Sequence, residues 1–114
     1  MMNVGFIGIG SMGGALARRL IGKVELTVCD KDTKILKEWD SAGISTTDNL
    51  ANLSKSCDFV LMCLPTSDDV GEVTFGRQGL LEFLKAGSII VDMTSGDPKK
   101  TRSLSSRTQA LGVD

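Results

Sequence analysis

Residues 8–13 read Gly-Ile-Gly-Ser-Met-Gly, a Gly-x-Gly-x-x-Gly spacing that follows directly on the apolar run Val4-Gly5-Phe6-Ile7. Such spacing suits a main chain that wraps a pyrophosphate. Gly8 permits a tight turn off a strand, Gly10 lets the backbone approach the phosphates with no Cβ between, and Gly13 lets helix and strand pack closely. The helix behind the turn offers free N–H groups and the positive end of its dipole, so Ile9, Ser11 and Met12 join the candidate loop. Glycines also mark plain turns, and a second feature is needed. Asp30 supplies it, 22 positions after Gly8 at the end of the next apolar run, where a carboxylate accepts hydrogen bonds from ribose hydroxyls. A carboxylate suits two free hydroxyls and repels a 2′-phosphate, which favours NAD. Lys31 pulls the other way, because an ammonium there tolerates that phosphate and keeps NADP open, unless it is simply solvated. A methyltransferase is the nearest rival class, but no acidic residue precedes the glycines within the first strand.

These residues need a scaffold, and the rest of the chain reads as one. Strands are expected at residues 3–9, 25–29, 58–64 and 88–92, with a weak one at 44–46, separated by segments of helical period. That alternation predicts an α/β fold, a Rossmann-type doubly wound parallel sheet. The runs at 59–64 and 89–91 are continuously apolar, as strands covered on both faces are, and are expected in the middle of the sheet. A first helix at 11–21 places Met12, Ala15, Leu16 and Leu20 on one face and stops at Gly22. A second, at 32–42, uses Ile35, Leu36, Trp39 and Ala42 and ends at Gly43. Shorter helical segments are expected at 49–56 and 79–86, and a last helix opens with Asp97 as its cap and Pro98 at its first position.

Composition narrows the partners. The chain has 114 residues, 41% hydrophobic and 24% charged, with a net charge of −1, which gives no electrostatic case for nucleic acid or an anionic membrane. One domain spanning residues 1–114 is expected. No apolar run approaches the roughly 18 residues of a membrane span, and no leader pattern precedes Val4, so a cytoplasmic location is expected. The three cysteines, Cys29, Cys57 and Cys63, lack metal-ligand spacing and are read as buried, reduced thiols, and no metal site is expected. Histidine and tyrosine are both absent, which removes two common proton-transfer groups. The basic cluster Lys99, Lys100, Arg102 and Arg107 reads as a solvated helix face.

Three segments carry a family resemblance. Gly5 to Gly13, then Met62-Cys63-Leu64-Pro65, then Val91-Asp92-Met93-Thr94-Ser95-Gly96-Asp97-Pro98 resemble the N-terminal domain of the β-hydroxyacid dehydrogenases. That family includes 3-hydroxyisobutyrate dehydrogenase, tartronate semialdehyde reductase and, more distantly, 6-phosphogluconate dehydrogenase. The resemblance covers essentially the whole chain and implies NAD(P)-dependent interconversion of a short β-hydroxyacid and its semialdehyde. It implies that Leu64 and Pro65 flank the adenosine half of the cofactor, that Asp69 is a further cofactor position, and that Thr94 and Ser95 lie near the nicotinamide end. An amide can stand at the position of Asp69 in the family, and a first-turn helix charge is an equal reading of it. Placement past the carboxyl ends of strands agrees with ligand binding in doubly wound sheets.

The resemblance also implies parts not found in these residues: a serine and glycine substrate motif, and a catalytic lysine in a separate helical domain. No catalytic residue is therefore assigned within the chain. A fragment of a longer two-domain, homo-oligomeric dehydrogenase is expected, lacking its last strand or strands and its substrate domain, and binding the cofactor without turnover. A coding sequence that stops directly after Asp114 would overturn this. The alternative is a free-standing dinucleotide-sensing module whose output is a partner interaction.

Overall fold

A computed structural model of the chain describes residues 2–76, 79–84 and 86–94. Five parallel strands form one sheet: β1 (Asn3–Ile7), β2 (Glu25–Cys29), β3 (Ser45–Thr47), β4 (Phe59–Met62) and β5 (Ile89–Asp92), in spatial order β3-β2-β1-β4-β5. The order reverses between β1 and β4. In open α/β sheets a ligand crevice forms at that switch point, outside the carboxyl ends of the strands.

Helices cover both faces: α1 (Ser11–Arg18), α2 (Thr33–Ser41), α3 (Leu50–Ser56) and α4 (Ser67–Phe75), followed by a single 3₁₀ turn at Leu80–Glu82. Successive strand residues point to opposite faces, and the two cores follow that alternation. Val4, Phe6, Leu26 and Val28 meet Ala17 of α1 and Leu36 and Trp39 of α2 on one face. Ile7, Cys29, Val60 and Met62 meet Leu53 of α3, Val70 of α4 and Leu80 on the other. Gly5 of β1 has a packing reason of its own, since a Cβ there would come within 2.8 Å of the Leu53 side chain.

Several expectations change in detail. The buried face of α1 is Gly13, Gly14 and Ala17, with Leu16 and Leu20 half-buried, whereas Met12 is 66% exposed and Ala15 is exposed. Close approach of α1 to the sheet selects its smallest residues, so hydrophobic periodicity alone misplaces the stripe. Ala42 likewise is the exposed C-cap of α2, ahead of Gly43 at φ 84°. The strand at 59–62 is interior, but β5 lies at the edge among the described residues, with Val91 38% exposed. Among the described residues of 79–86 the expected helix is replaced by one 3₁₀ turn at Leu80–Glu82, ahead of Gly87 at φ 92°. The predicted helix after Asp97, and the basic cluster on it, lie outside the described residues.

Candidate functional site

The chain leaves β1 through Gly8, whose φ of 89° lies in the left-handed region that only glycine adopts without strain. Its N–H donates to the Cys29 carbonyl at 3.0 Å, which holds the turn against the end of β2. A Cβ on Gly13 would collide with the Gly8 carbonyl oxygen, so Gly13 is required for α1 to start this close to the strand. Gly10 is different. Its φ of −64° is open to any residue, and a Cβ there would meet no protein atom within 4 Å. Neither backbone nor packing demands glycine at this position, and the space a Cβ would fill belongs to the cleft.

The N-terminus of α1 has no side-chain cap, and Gly14 N–H is the first to reach a carbonyl of its own helix, that of Gly10 at 2.7 Å. The preceding N–H groups of Ser11, Met12 and Gly13 are left directed out of the helix end, where partial positive charge accumulates. Asp30 lies beside this turn. One carboxylate oxygen accepts the Ile9 N–H at 3.0 Å and the other accepts the Asp32 N–H at 2.9 Å. A carboxylate has about four acceptor positions, so two hydrogen bonds orient Asp30 and leave capacity for a ligand. Asp32 caps α2 by accepting the Lys34 N–H at 2.9 Å.

The far wall comes from the ends of β4 and β5. Thr94 Oγ1 accepts the Leu64 N–H at 2.9 Å, which ties the two strand ends together, and Asp92 accepts the Thr94 N–H at 2.8 Å. Asp69 closes a capping box on α4: its carboxylate accepts the N–H and hydroxyl of Thr66 at 3.2 and 3.0 Å, while Thr66 Oγ1 accepts the Asp69 N–H.

Eleven of the thirteen expected site residues line one cleft of about 760 Å³: Gly8, Gly10, Ser11, Met12, Gly13, Asp30, Lys31, Leu64, Pro65, Asp69 and Thr94. Ile9 does not line it. Its side chain is 3% exposed and sits in the core with Phe6 and Ala17, so its part in the loop is the N–H it gives to Asp30. Ser95 lies outside the described residues. The cleft also takes Asp48, Leu50, Glu72 and Val73, none of which sequence motifs had marked. The Thr66-x-x-Asp69 capping pattern was the available signal for α4 and its inward residues.

The cysteines divide. Cys29 and Cys57 are buried free thiols, while Cys63 is half-buried and lines the cleft, not wholly buried as expected. Burial pushes the Cys29 thiol up to about 11, with the Asp30 and Asp48 carboxylates adding to the effect. Burial also raises Cys57, against a hydrogen bond from Ser56 and with the Asp58 charge.

A doubly wound sheet whose first strand feeds a glycine turn into an uncapped helix, beside an acid at the end of the next strand, defines a dinucleotide-binding domain of Rossmann type. Comparison with known proteins specifies which. Residues 3–114 match the family described as the NAD binding domain of 6-phosphogluconate dehydrogenase, and the chain belongs to that family. It is 32% identical over 111 residues to mitochondrial 3-hydroxyisobutyrate dehydrogenase of Rattus norvegicus, covering 96% of this chain and 33% of that protein. It is 31% identical over 113 residues to 3-sulfolactaldehyde reductase of Escherichia coli (strain K12), covering 98% of this chain and 38% of that protein. Among solved structures, 3-hydroxyisobutyrate dehydrogenase from Salmonella typhimurium superposes with a TM-score of 0.91 at 19% identity, over 100% of this chain and 40% of that one. Psf3 in complex with NADP+ and 2-OPP gives 0.87 at 27%, over 97% and 40%. The resemblance carried by the three motifs is thus borne out, and the chain spans 33–38% of the length of these two curated relatives.

Proposed function

We propose that residues 1–114 are the cofactor-binding domain of an NAD(P)-dependent oxidoreductase that interconverts a short β-hydroxyacid and its semialdehyde. The observation that carries this reading is Gly10: a glycine that neither its φ nor its neighbours require, at the mouth of an uncapped helix. A Cβ-free approach to that helix end is what a pyrophosphate needs, and the residues present fit the group. When bound, the dinucleotide supplies hydride acceptance and donation, the chemistry that side chains lack.

In this proposal Gly8, Gly10, Ser11, Met12 and Gly13 hold the pyrophosphate and Ile9 positions Asp30. Asp30 and Lys31 flank the adenosine ribose, and Leu64, Pro65 and Asp69 bound the adenosine half. Thr94 and Ser95 serve the nicotinamide end; the Thr94 oxygen accepts the Leu64 N–H, and among the described residues its hydroxyl donates to no acceptor. NAD is favoured over NADP because an oriented carboxylate repels a 2′-phosphate. The proton-transferring lysine and the substrate-binding groups belong to segments outside these residues, in a homo-oligomeric parent. The relatives named as 3-hydroxyisobutyrate dehydrogenase and 3-sulfolactaldehyde reductase support this substrate class. A cytoplasmic setting, with no nucleic acid or membrane partner, is part of the proposal and is in keeping with three free thiols. Among the described residues no helix is long and apolar enough to cross a membrane.

Calorimetric titration of the chain with NAD and with NADP is the test. Saturable binding is expected, tighter for NAD, and Asp30→Ala should weaken NAD more than NADP. No saturable heat with either dinucleotide would sink the proposal, and an equal loss for both would remove Asp30 from the ribose.

A further inference from the structure

Four aspartates line the cleft, and three of them are engaged within the protein. Asp30 accepts the N–H groups of Ile9 and Asp32, Asp32 accepts that of Lys34, and Asp69 accepts from Thr66. Asp48 is exposed and makes no hydrogen bond or ion pair among the described residues.

Strand register fixes where Asp48 stands. Cys29 of β2 pairs with Thr47 of β3, so Asp48 follows the last rung of β3 as Asp30 follows the last rung of β2. The two residues occupy neighbouring strand ends on one rim, with Asp30 one strand nearer the glycine turn. The cleft also has apolar walls: Ile35 from α2 and Leu50 from α3 line it, as do Leu64 after β4 and Val73 from α4, on the other side of β1. A dinucleotide with its phosphates at α1 and a ribose at Asp30 continues outward in the order β1, β2, β3, and the group beyond the ribose is the base. Apolar walls suit the two faces of a flat ring. The edge that reaches Asp48 has to donate, because an ionised carboxylate only accepts.

On the basis of the dinucleotide reading above, we infer that Asp48 reads the edge of the base. It accepts a hydrogen bond from the exocyclic amino group of adenine and so selects a 6-amino purine over a 6-oxo purine. A carbonyl at that position would set two acceptors against each other, at the cost of an unpaired charge on the rim.

Titration with NAD and with its deaminated counterpart, nicotinamide hypoxanthine dinucleotide, measures the preference. The unsubstituted chain is expected to bind NAD roughly tenfold more tightly, the effect of one hydrogen bond to a charged acceptor. Asp48→Ala should bring the two affinities within about twofold of each other, chiefly by weakening NAD. Asp48→Asn, whose amide both donates and accepts, should also erase the preference while restoring part of the affinity. Asp48 is exposed and holds no internal hydrogen bond, so both variants are expected to keep the far-ultraviolet dichroism of the unsubstituted chain. Equal binding of the two dinucleotides by the unsubstituted chain, or a preference that survives both substitutions, overturns the role of Asp48 and leaves NAD binding standing. Absence of binding to NAD and NADP alike overturns both.

Discussion

Gly10 and Gly13 lie in one short loop and answer to different neighbours, which makes them separable by substitution. Gly13 faces the Gly8 carbonyl, and backbone has no rotamer by which to give way. Gly13→Ala is therefore expected to cost the fold about 1–3 kcal/mol, read as a lower urea midpoint. Gly10→Ala places a methyl group in open space at an ordinary φ, and stability should change by no more than about 0.5 kcal/mol. Dinucleotide affinity should nonetheless fall roughly tenfold or more, because the methyl group occupies the approach to the helix end. A Gly10→Ala chain that binds as tightly as the original would show that the loop does not close on a phosphate. The spacing assigned Gly13 to close packing and Gly10 to the phosphate approach; what it could not supply was the Gly8 carbonyl as the specific neighbour of Gly13, or the open space beside Gly10. Ile9 illustrates the same limit: it sits inside the motif, yet only the structure separates its buried side chain from its N–H.

At the scale of elements, the cleft depends on cross-ties between strand ends. The hydrogen bond from Leu64 N–H to Thr94 Oγ1 joins β4 to β5 where parallel pairing has stopped. Thr94→Val keeps the shape, removes the acceptor and leaves a partly buried donor unpaired, a loss of about 1–3 kcal/mol. Thr94→Ser should recover most of it, and denaturation of the two variants side by side is the measurement. A valine variant as stable as the original beside a destabilised serine variant would mean that the methyl contact, not the hydroxyl, holds the strands. Element identity was largely legible, because β4 is a continuous apolar run and α2 carries a helical stripe, each beside turn residues. Boundaries differed by one to three residues: β1 stops at Ile7, since the chain must turn at Gly8, and α1 stops at Arg18 instead of residue 21. The helix α4 was legible only through Asp69, read as a first-turn charge, because its middle is weakly patterned and its start is announced by one capping box. Asp48 carried no signal at all. An isolated acid acquires meaning only when the β2–β3 register puts it next to Asp30's strand end.

For the whole molecule, stability should depend on alkaline pH through Cys29. Its thiol titrates at about 11 in the folded chain against an ordinary value of 9.0. Unfolded chains therefore lose this proton first as pH rises above 9, and the stability present below 9 is given up between 9 and about 11. The full effect is on the order of 2–3 kcal/mol. Cys57, raised in the same direction by burial, adds to the decline. Urea midpoints across this range should fall less steeply for Cys29→Ala than for the original chain, and parallel curves would locate the alkaline loss elsewhere. The doubly wound parallel class followed from alternating elements, whereas the strand order, and the edge position of β5 among the described residues, did not, because an apolar strand reads the same in a sheet's interior and at its border. One contact reaches further than its size. Since Asp30 carries the Ile9 N–H as well as facing the cleft, a single exchange to a side chain without an acceptor, such as alanine or arginine, removes the acid and releases the glycine turn together, whereas asparagine sheds the charge and keeps one oxygen for that N–H. On the proposed preference for NAD, a change of coenzyme runs through a side chain that sheds the charge but keeps an acceptor for the turn, which admits an amide and disfavours a direct exchange to arginine.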